Sequence, residues 1–272
     1  MVNIDEASRT GNTGNPLEKR LVGKVALVTG GSRGIGKAIA ARLAALGAAV
    51  AICGRNEVKL QETRSELETS GARALAMKAD VTSRSEIAAL ISKTEGQLGA
   101  INILVNSAGI GMFGAVQEKT EQDWDLVMNT NLKSVFLVCR EVVPRMIAAK
   151  KGDIINISSL AGKNVFAGGG LYCATKWGLQ GLSGCMAEDL RGHGIRVSVI
   201  CPGSVATEFA GRGPKDAAKV LQAEDVAHAV AMVLTQGPQS FISAGLISAL
   251  RFIFAPNWGL SRFRPEERPN AI

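Results

Sequence analysis

The chain has little with which to build a metal centre or a histidine-based catalytic triad. Its two histidines, His193 and His228, are far apart and lack ligand spacing, so both read as structural or surface residues. The five cysteines (Cys53, Cys139, Cys173, Cys185, Cys201) are odd in number, scattered and free of any CxxC pair. They read as small apolar residues in a reducing compartment. No apolar run reaches the ~18 residues needed to span a bilayer. Residues 1–20 lack the apolar centre of a signal peptide and read as a flexible tail. The expectation is a soluble, cytoplasmic protein without a membrane partner. A net charge of +7 and a pI near 9.3 would suit nucleic acid or an anionic ligand. The Lys and Arg are dispersed, however, with no run of five or six and no aromatic ladder, so nucleic acid is not expected as a partner. No repeat with a period of ~20–50 residues is visible.

Against these absences stands a regular alternation. Residues 24–29 (KVALVT) are a β-branched apolar run stopped by glycine, which reads as a buried strand. A helical stripe of Ile35, Ile39, Leu43 and Leu46 follows, closed by Gly47. Residues 48–53, 74–81, 101–106, 153–158 and 195–203 read as further strands. Helices are expected over about 56–70, from Ser83, from Thr120, over 132–149 with a bend near Pro144, and over 171–191 and 223–235. Ser83 and Glu86 fit a capping box. Six strands, nearly all apolar throughout and separated by helices, require a parallel sheet covered on both faces. The reading is one α/β doubly wound domain over 21–255, followed by a tail at 256–272. The apolar segment 241–254 offers a seventh strand and a subunit contact, or else a membrane-facing or substrate-covering segment. Ligands of such sheets bind at the carboxyl ends of the strands.

The first strand runs into TGGSRGIG, residues 29–36. Gly30, Gly34 and Gly36, with Ser32 and Ile35 between them, permit a tight turn that brings backbone N–H groups against a diphosphate at the start of a helix. The second strand ends Cys53-Gly54-Arg55-Asn56, without the acid that would hold a free ribose 2′-hydroxyl. Arg33 and Arg55 offer paired planar donors for a 2′-phosphate instead, which predicts NADP(H) over NAD(H). Further on, Tyr172 and Lys176 stand four apart on an expected helix and so share a face. A phenol is a poor base at neutral pH, and a neighbouring ammonium favours its ionised form.

TGGSRGIG, NSAG (residues 106–109), Asn131, Ser159, Tyr172-x-x-x-Lys176 and Pro202-Gly203, in that order, resemble the short-chain dehydrogenase/reductase family over about residues 20–235. The pattern is closest to its 3-oxoacyl-carrier-protein reductases. The resemblance implies a Rossmann-type fold with about seven strands, and hydride transfer between a nicotinamide and a small carbonyl or secondary alcohol substrate. It implies that Tyr172 moves the proton, that Lys176 holds the nicotinamide ribose and lowers the Tyr172 pKa, and that Ser159 bonds the substrate oxygen. It further implies that Asn131 holds a water that feeds protons to Lys176. Asp80 and Val81 would touch the adenine. Asn106, Ala108 and Gly109 would line the cofactor, and Val205 and Thr207 would contact its carboxamide beyond Pro202-Gly203. The resemblance also implies a homodimer or homotetramer. The sequence departs from the family at Ser107, where a second Asn is common. The alternative is a non-catalytic nucleotide-binding scaffold or sensor on the same fold, which would have no need of a proton relay.

Overall fold

The computed structural model describes residues 20–209, 219–237 and 240–249. The tails expected at 1–20 and 256–272 fall outside these residues apart from Arg20. β1 (Val25–Thr29) is buried at all five positions, as an apolar run must be when helices cover both faces of a sheet. Adjacent residues of β1 point to opposite faces. Ala26 and Val28 join one core with Ile39, Leu43, Val226 and Val230, whereas Leu27 joins a second with Ile87, Leu90, Val138 and Leu179.

Around β1 lie β2 (Ala49–Gly54), β3 (Ala74–Lys78), β4 (Ile103–Asn106), β5 (Gly152–Ile157), β6 (Ile195–Pro202) and β7 (Ala244–Ile247). The sheet is parallel throughout, in the order β3-β2-β1-β4-β5-β6-β7. The helices are α1 (Gly34–Ala45), α2 (Glu57–Thr69), α3 (Arg84–Leu98), α4 (Glu121–Met128), α5 (Ser134–Ala149), α6 (Gly170–Arg191) and α7 (Ala223–Leu234). The chain winds outward from β1 to β3, then returns to place β4 on the other side of β1. That reversal opens a crevice beyond the carboxyl ends of β1 and β4.

Local signals explain most of the boundaries. Thr120 and Asp123 form a reciprocal cap at the start of α4, each side chain accepting from the other's backbone N–H at 3.1 Å. At α3 the expected box is only half made. Ser83 Oγ accepts from Glu86 N, but the Glu86 carboxylate accepts from Asp80 N at 2.9 Å, because the Ser83 N–H already bonds Asp80 O. The apolar helix expected over 132–149 is joined to α4 by one π-type turn, Asn129–Lys133, and Pro144 lies inside α5.

β7 is the seventh strand that the apolar segment 241–254 offered. Its residues alternate exposed and half-buried, and Leu246 is 64% exposed. Among the described strands only β6 flanks it, so every second side chain faces solvent. Residues 250–254 lie outside the described ones. Both histidines are on the surface. Four of the cysteines are buried, and Cys185 is exposed.

Candidate active site

The floor of the crevice is made where two backbones touch. Gly30 sits at φ +70°, and a Cβ there would lie 2.9 Å from Ala108 Cα. A Cβ on Gly36 would collide with the Gly30 carbonyl. The β1–α1 turn is thereby pressed against the loop after β4. Thr29 fastens the two, its Oγ1 accepting from Ser107 N at 3.1 Å and Ala108 N at 3.2 Å. Arg33, the residue that starts α1, caps it with no side-chain bond, and no acid stands in the first turn. The amides of Gly34, Ile35 and Gly36 therefore face the crevice with the positive end of the helix behind them, which suits a diphosphate. Ser32 leans on Gly54, where a Cβ would lie 3.3 Å from its Oγ. Across the crevice, Thr207 approaches Gly34 at 3.3 Å, measured from its Cγ2 to the Cβ position. The residues present fit a bound dinucleotide.

The cations converge more broadly than the sequence suggested. Arg33 Nη1 lies 3.0 Å from Glu208 Oε2, and Lys59 Nζ reaches the same oxygen at 3.4 Å. Lys59 and Glu208 carry no motif; folding alone brings α2 and the loop after β6 to Arg33. Arg55 is exposed just beyond β2 and acts on Asp80. Burial pushes the Asp80 carboxyl up. Bonds from Thr82 N and Oγ1, with the Arg55 charge, outweigh it and hold the group below its ordinary value. Val81 is buried and joins the core with Ile87 and Leu90, so its side chain is spent on packing.

Asn106 does not line the crevice with its side chain. Its Nδ2 donates to Asn156 Oδ1 at 2.8 Å, and Asn156 Nδ2 donates to Ser183 Oγ at 2.8 Å. These three buried residues tie β4, β5 and α6 together inside the fold. A buried amide must spend its donors on protein partners, so only the backbone of Asn106 is left to face the crevice. Asn131, in the π-type turn, grips the backbone of Ile110, accepting from its N–H at 2.8 Å and donating to its C=O at 2.9 Å. Gly109 lies between Asn131 and Lys176. A Cβ there would be 3.3 Å from Asn131 Oδ1 and 4.0 Å from Lys176 Nζ.

Tyr172 and Lys176 stand on the first two turns of α6, both buried, with Lys176 Nζ 5.7 Å from the phenol ring centre. The ammonium donates to Ile157 O at the end of β5, 2.9 Å away. Ser159, just past β5, accepts from Ala161 N at 3.1 Å and reaches Pro202 O at 3.5 Å. Beyond it, Gly203 N bonds Ile247 O, and Val205 pairs with Leu221.

Burial pushes the Tyr172 phenol up to about 12, against a hydrogen bond with Ser159 that pulls it down. Burial also drives Lys176 from 10.5 down to about 8. In the protein by itself, burial outweighs whatever lowers the phenol. Both groups are removed from water, and desolvation disfavours the charged form of each. Tyr172 is held as a neutral acid.

A glycine-floored crevice for a dinucleotide, opening onto a buried phenol, an amine and a serine hydroxyl, defines an oxidoreductase site. The family model for short chain dehydrogenases matches residues 24–218, and the chain belongs to that family. It is an enzyme that acts on a CH–OH/carbonyl pair with a nicotinamide cofactor. A ketoacyl reductase of the granaticin polyketide synthase of Streptomyces violaceoruber is 42% identical over 190 residues, 69% of this chain and 70% of its own length. A 3-oxoacyl-[acyl-carrier-protein] reductase of Staphylococcus aureus is 38% identical over 188 residues, 68% of this chain and 76% of its own. A glycine betaine reductase of Emericella nidulans is 34% identical over 82% of this chain, which spans only 18% of that protein. The crystal structure of a metagenomic short-chain oxidoreductase in complex with NADP superposes with a TM-score of 0.75. It is 42% identical, over 84% of this chain and 97% of the other. Among the described residues, no helix is long and apolar enough to cross a membrane.

Proposed function

We propose that the protein is an NADPH-dependent reductase of a small ketone, with Tyr172, Lys176 and Ser159 as its catalytic residues. The observation that carries this reading is the meeting of all three at the carboxyl end of β5, with the phenol held neutral by burial. The bound nicotinamide supplies or accepts the hydride. Tyr172 Oη gives its proton to the substrate oxygen, and the Ser159 hydroxyl steadies the developing oxyanion. Lys176 holds the nicotinamide ribose and restores the Tyr172 proton, with Asn131 positioning the water that feeds it. Arg33 and Arg55, joined by Lys59, hold the 2′-phosphate and favour NADP(H) over NAD(H). Gly30 to Gly36 would hold the cofactor's diphosphate, Asp80 its adenine, and Val205 and Thr207 its carboxamide.

Two further features belong to this reading. The substrate is a ketone, a 3-oxoacyl group or a sugar or hydroxy-acid relative. The working form is a homodimer or homotetramer, supported by half-exposed Trp124, Leu126 and Phe136 on α4 and α5. Light scattering on the eluted protein checks the latter, and a monomer removes it. A nucleotide sensor without catalysis is disfavoured by the complete Asn131, Ser159, Tyr172 and Lys176 set, because a sensor has no need of a proton relay.

The test is Tyr172→Phe. Turnover of NADPH with a ketone is expected to fall by about a thousandfold or more, while NADPH binding, read by fluorescence, stays within about threefold. Undiminished kcat removes Tyr172 from the mechanism. Equal or tighter binding of NADH removes the cofactor preference.

A further inference from the structure

The chain contains eight phenylalanines; among the described residues two of them, Phe113 and Phe209, meet the Tyr172 ring, and a third, Phe166, packs on Phe113. Each comes from a different loop at the carboxyl edge of the sheet: Phe113 follows β4, Phe166 follows β5 and Phe209 follows β6. Phe113 meets the Tyr172 ring edge-on, with centres 5.4 Å apart and planes at 69°. Phe166 lies 5.9 Å from Phe113, and Phe209 lies 5.9 Å from Tyr172. The wall is built rather than incidental. Gly114 N donates to Gly168 O at 2.9 Å, which ties the β4 and β5 loops together. A Cβ on Gly169 would come within 2.8 Å of the Phe166 ring, so glycine there makes room for it.

Part of this wall is exposed. Phe166 is 49% exposed, Phe209 38% and the neighbouring Val165 78%. Aromatic faces left in water beside a proton donor gain by burial against another flat apolar group, and edge-to-face contacts add to that gain. Ring faces accept only weak hydrogen bonds, so the hydroxyls of a sugar gain less here than a flat apolar group does. The geometry points to a substrate that carries an aryl group on, or next to, the carbonyl carbon. In such a substrate the carbonyl oxygen meets Tyr172 and Ser159 while the ring lies among Phe113, Phe166 and Phe209. The inference rests on Tyr172 as the proton donor and names the substrate class of that same site.

The test uses a matched pair, ethyl benzoylacetate and ethyl acetoacetate, which differ by phenyl for methyl on the reacting carbonyl. With the full chain and NADPH, kcat/KM is expected to be about tenfold or more higher for the phenyl ester. Phe113→Ala and Phe166→Ala should each shrink that ratio toward unity, mainly through KM, with NADPH binding and the melting temperature read alongside. A ratio near one in the wild-type protein, or an unchanged ratio in both variants, overturns the aryl assignment. If both esters turn over equally and Tyr172→Phe abolishes both, the catalytic reading stands and only the aryl class falls. If neither ester is reduced, the aryl class falls as well; reduction of other ketones that survives Tyr172→Phe overturns the catalytic reading too.

Discussion

Arg33 of the glycine turn and Glu208 of the loop after β6 are joined at 3.0 Å, from Nη1 to Oε2. The Glu208 carboxyl is held below its ordinary range by hydrogen bonds from Arg33 and Lys59, and by their charges. An anion of this chain thus sits on two of the cations proposed to hold a 2′-phosphate.

Glu208→Gln frees those cations. NADPH should bind about two- to fivefold more tightly, NADH should change little, and the salt dependence of NADPH binding should steepen. Fluorescence titration of both cofactors checks this; weaker NADPH binding in the variant would show that Glu208 does not compete.

The pH dependence of turnover follows from burial. Tyr172, pushed up to about 12, keeps its proton through the neutral range, while Lys176 loses its own near pH 8. For ketone reduction, kcat/KM should stay level up to about pH 8 and then decline, whereas alcohol oxidation should climb with pH. A single ionisation between pH ~6 and ~7 in both directions would point to another acid.

Lys176→Met trades activity for stability. A lysine at about 8 when folded and 10.5 when unfolded binds fewer protons in the fold, so stability rises with pH between those values and carries the full penalty below pH 8. The shift corresponds to roughly 3 kcal/mol. The lost bond to Ile157 O offsets about 1 kcal/mol of this, and a gain of about 2 kcal/mol remains at pH 7. Denaturant melts at pH 7 and pH 9 should show the gain and its decline with pH. Above pH 10 the wild-type trend reverses, because Tyr172 keeps a proton in the fold that the open chain has released. A variant less stable than wild type at pH 7 would refute the assignment.

Asn156→Ala removes the central member of a buried chain. It strands the Asn106 amide and the Ser183 hydroxyl without that partner and leaves a small void, so a loss of about 2–4 kcal/mol is expected. Thermal or urea unfolding measures it. A neutral result would mean water replaces the lost amide.

What could be read in advance was whatever a short stretch of chain decides. The glycine turn, the Tyr172–Lys176 spacing and the apolar strands are local patterns, and they reappear nearly residue for residue. Asn156 could not be read, because its partners come from β4 and α6, far off in sequence. Glu208 and Lys59 carry no motif and meet Arg33 only through the winding of the sheet. The burial of Tyr172 could not be read for the same reason: a neighbour four residues away is visible in a sequence, but the loss of water around it is a property of the whole fold. The π-type turn at Asn129–Lys133 merges two helices that the periodicity kept apart.

Thr29 binds the amides of both Ser107 and Ala108, so the seam between the two halves of the sheet is stitched at its base. Prising it open would require breaking that stitch. Variation is left to the three outer segments that bring Phe113, Phe166 and Phe209. Grafting new segments there should retune which ketones are accepted while the dinucleotide half carries on undisturbed.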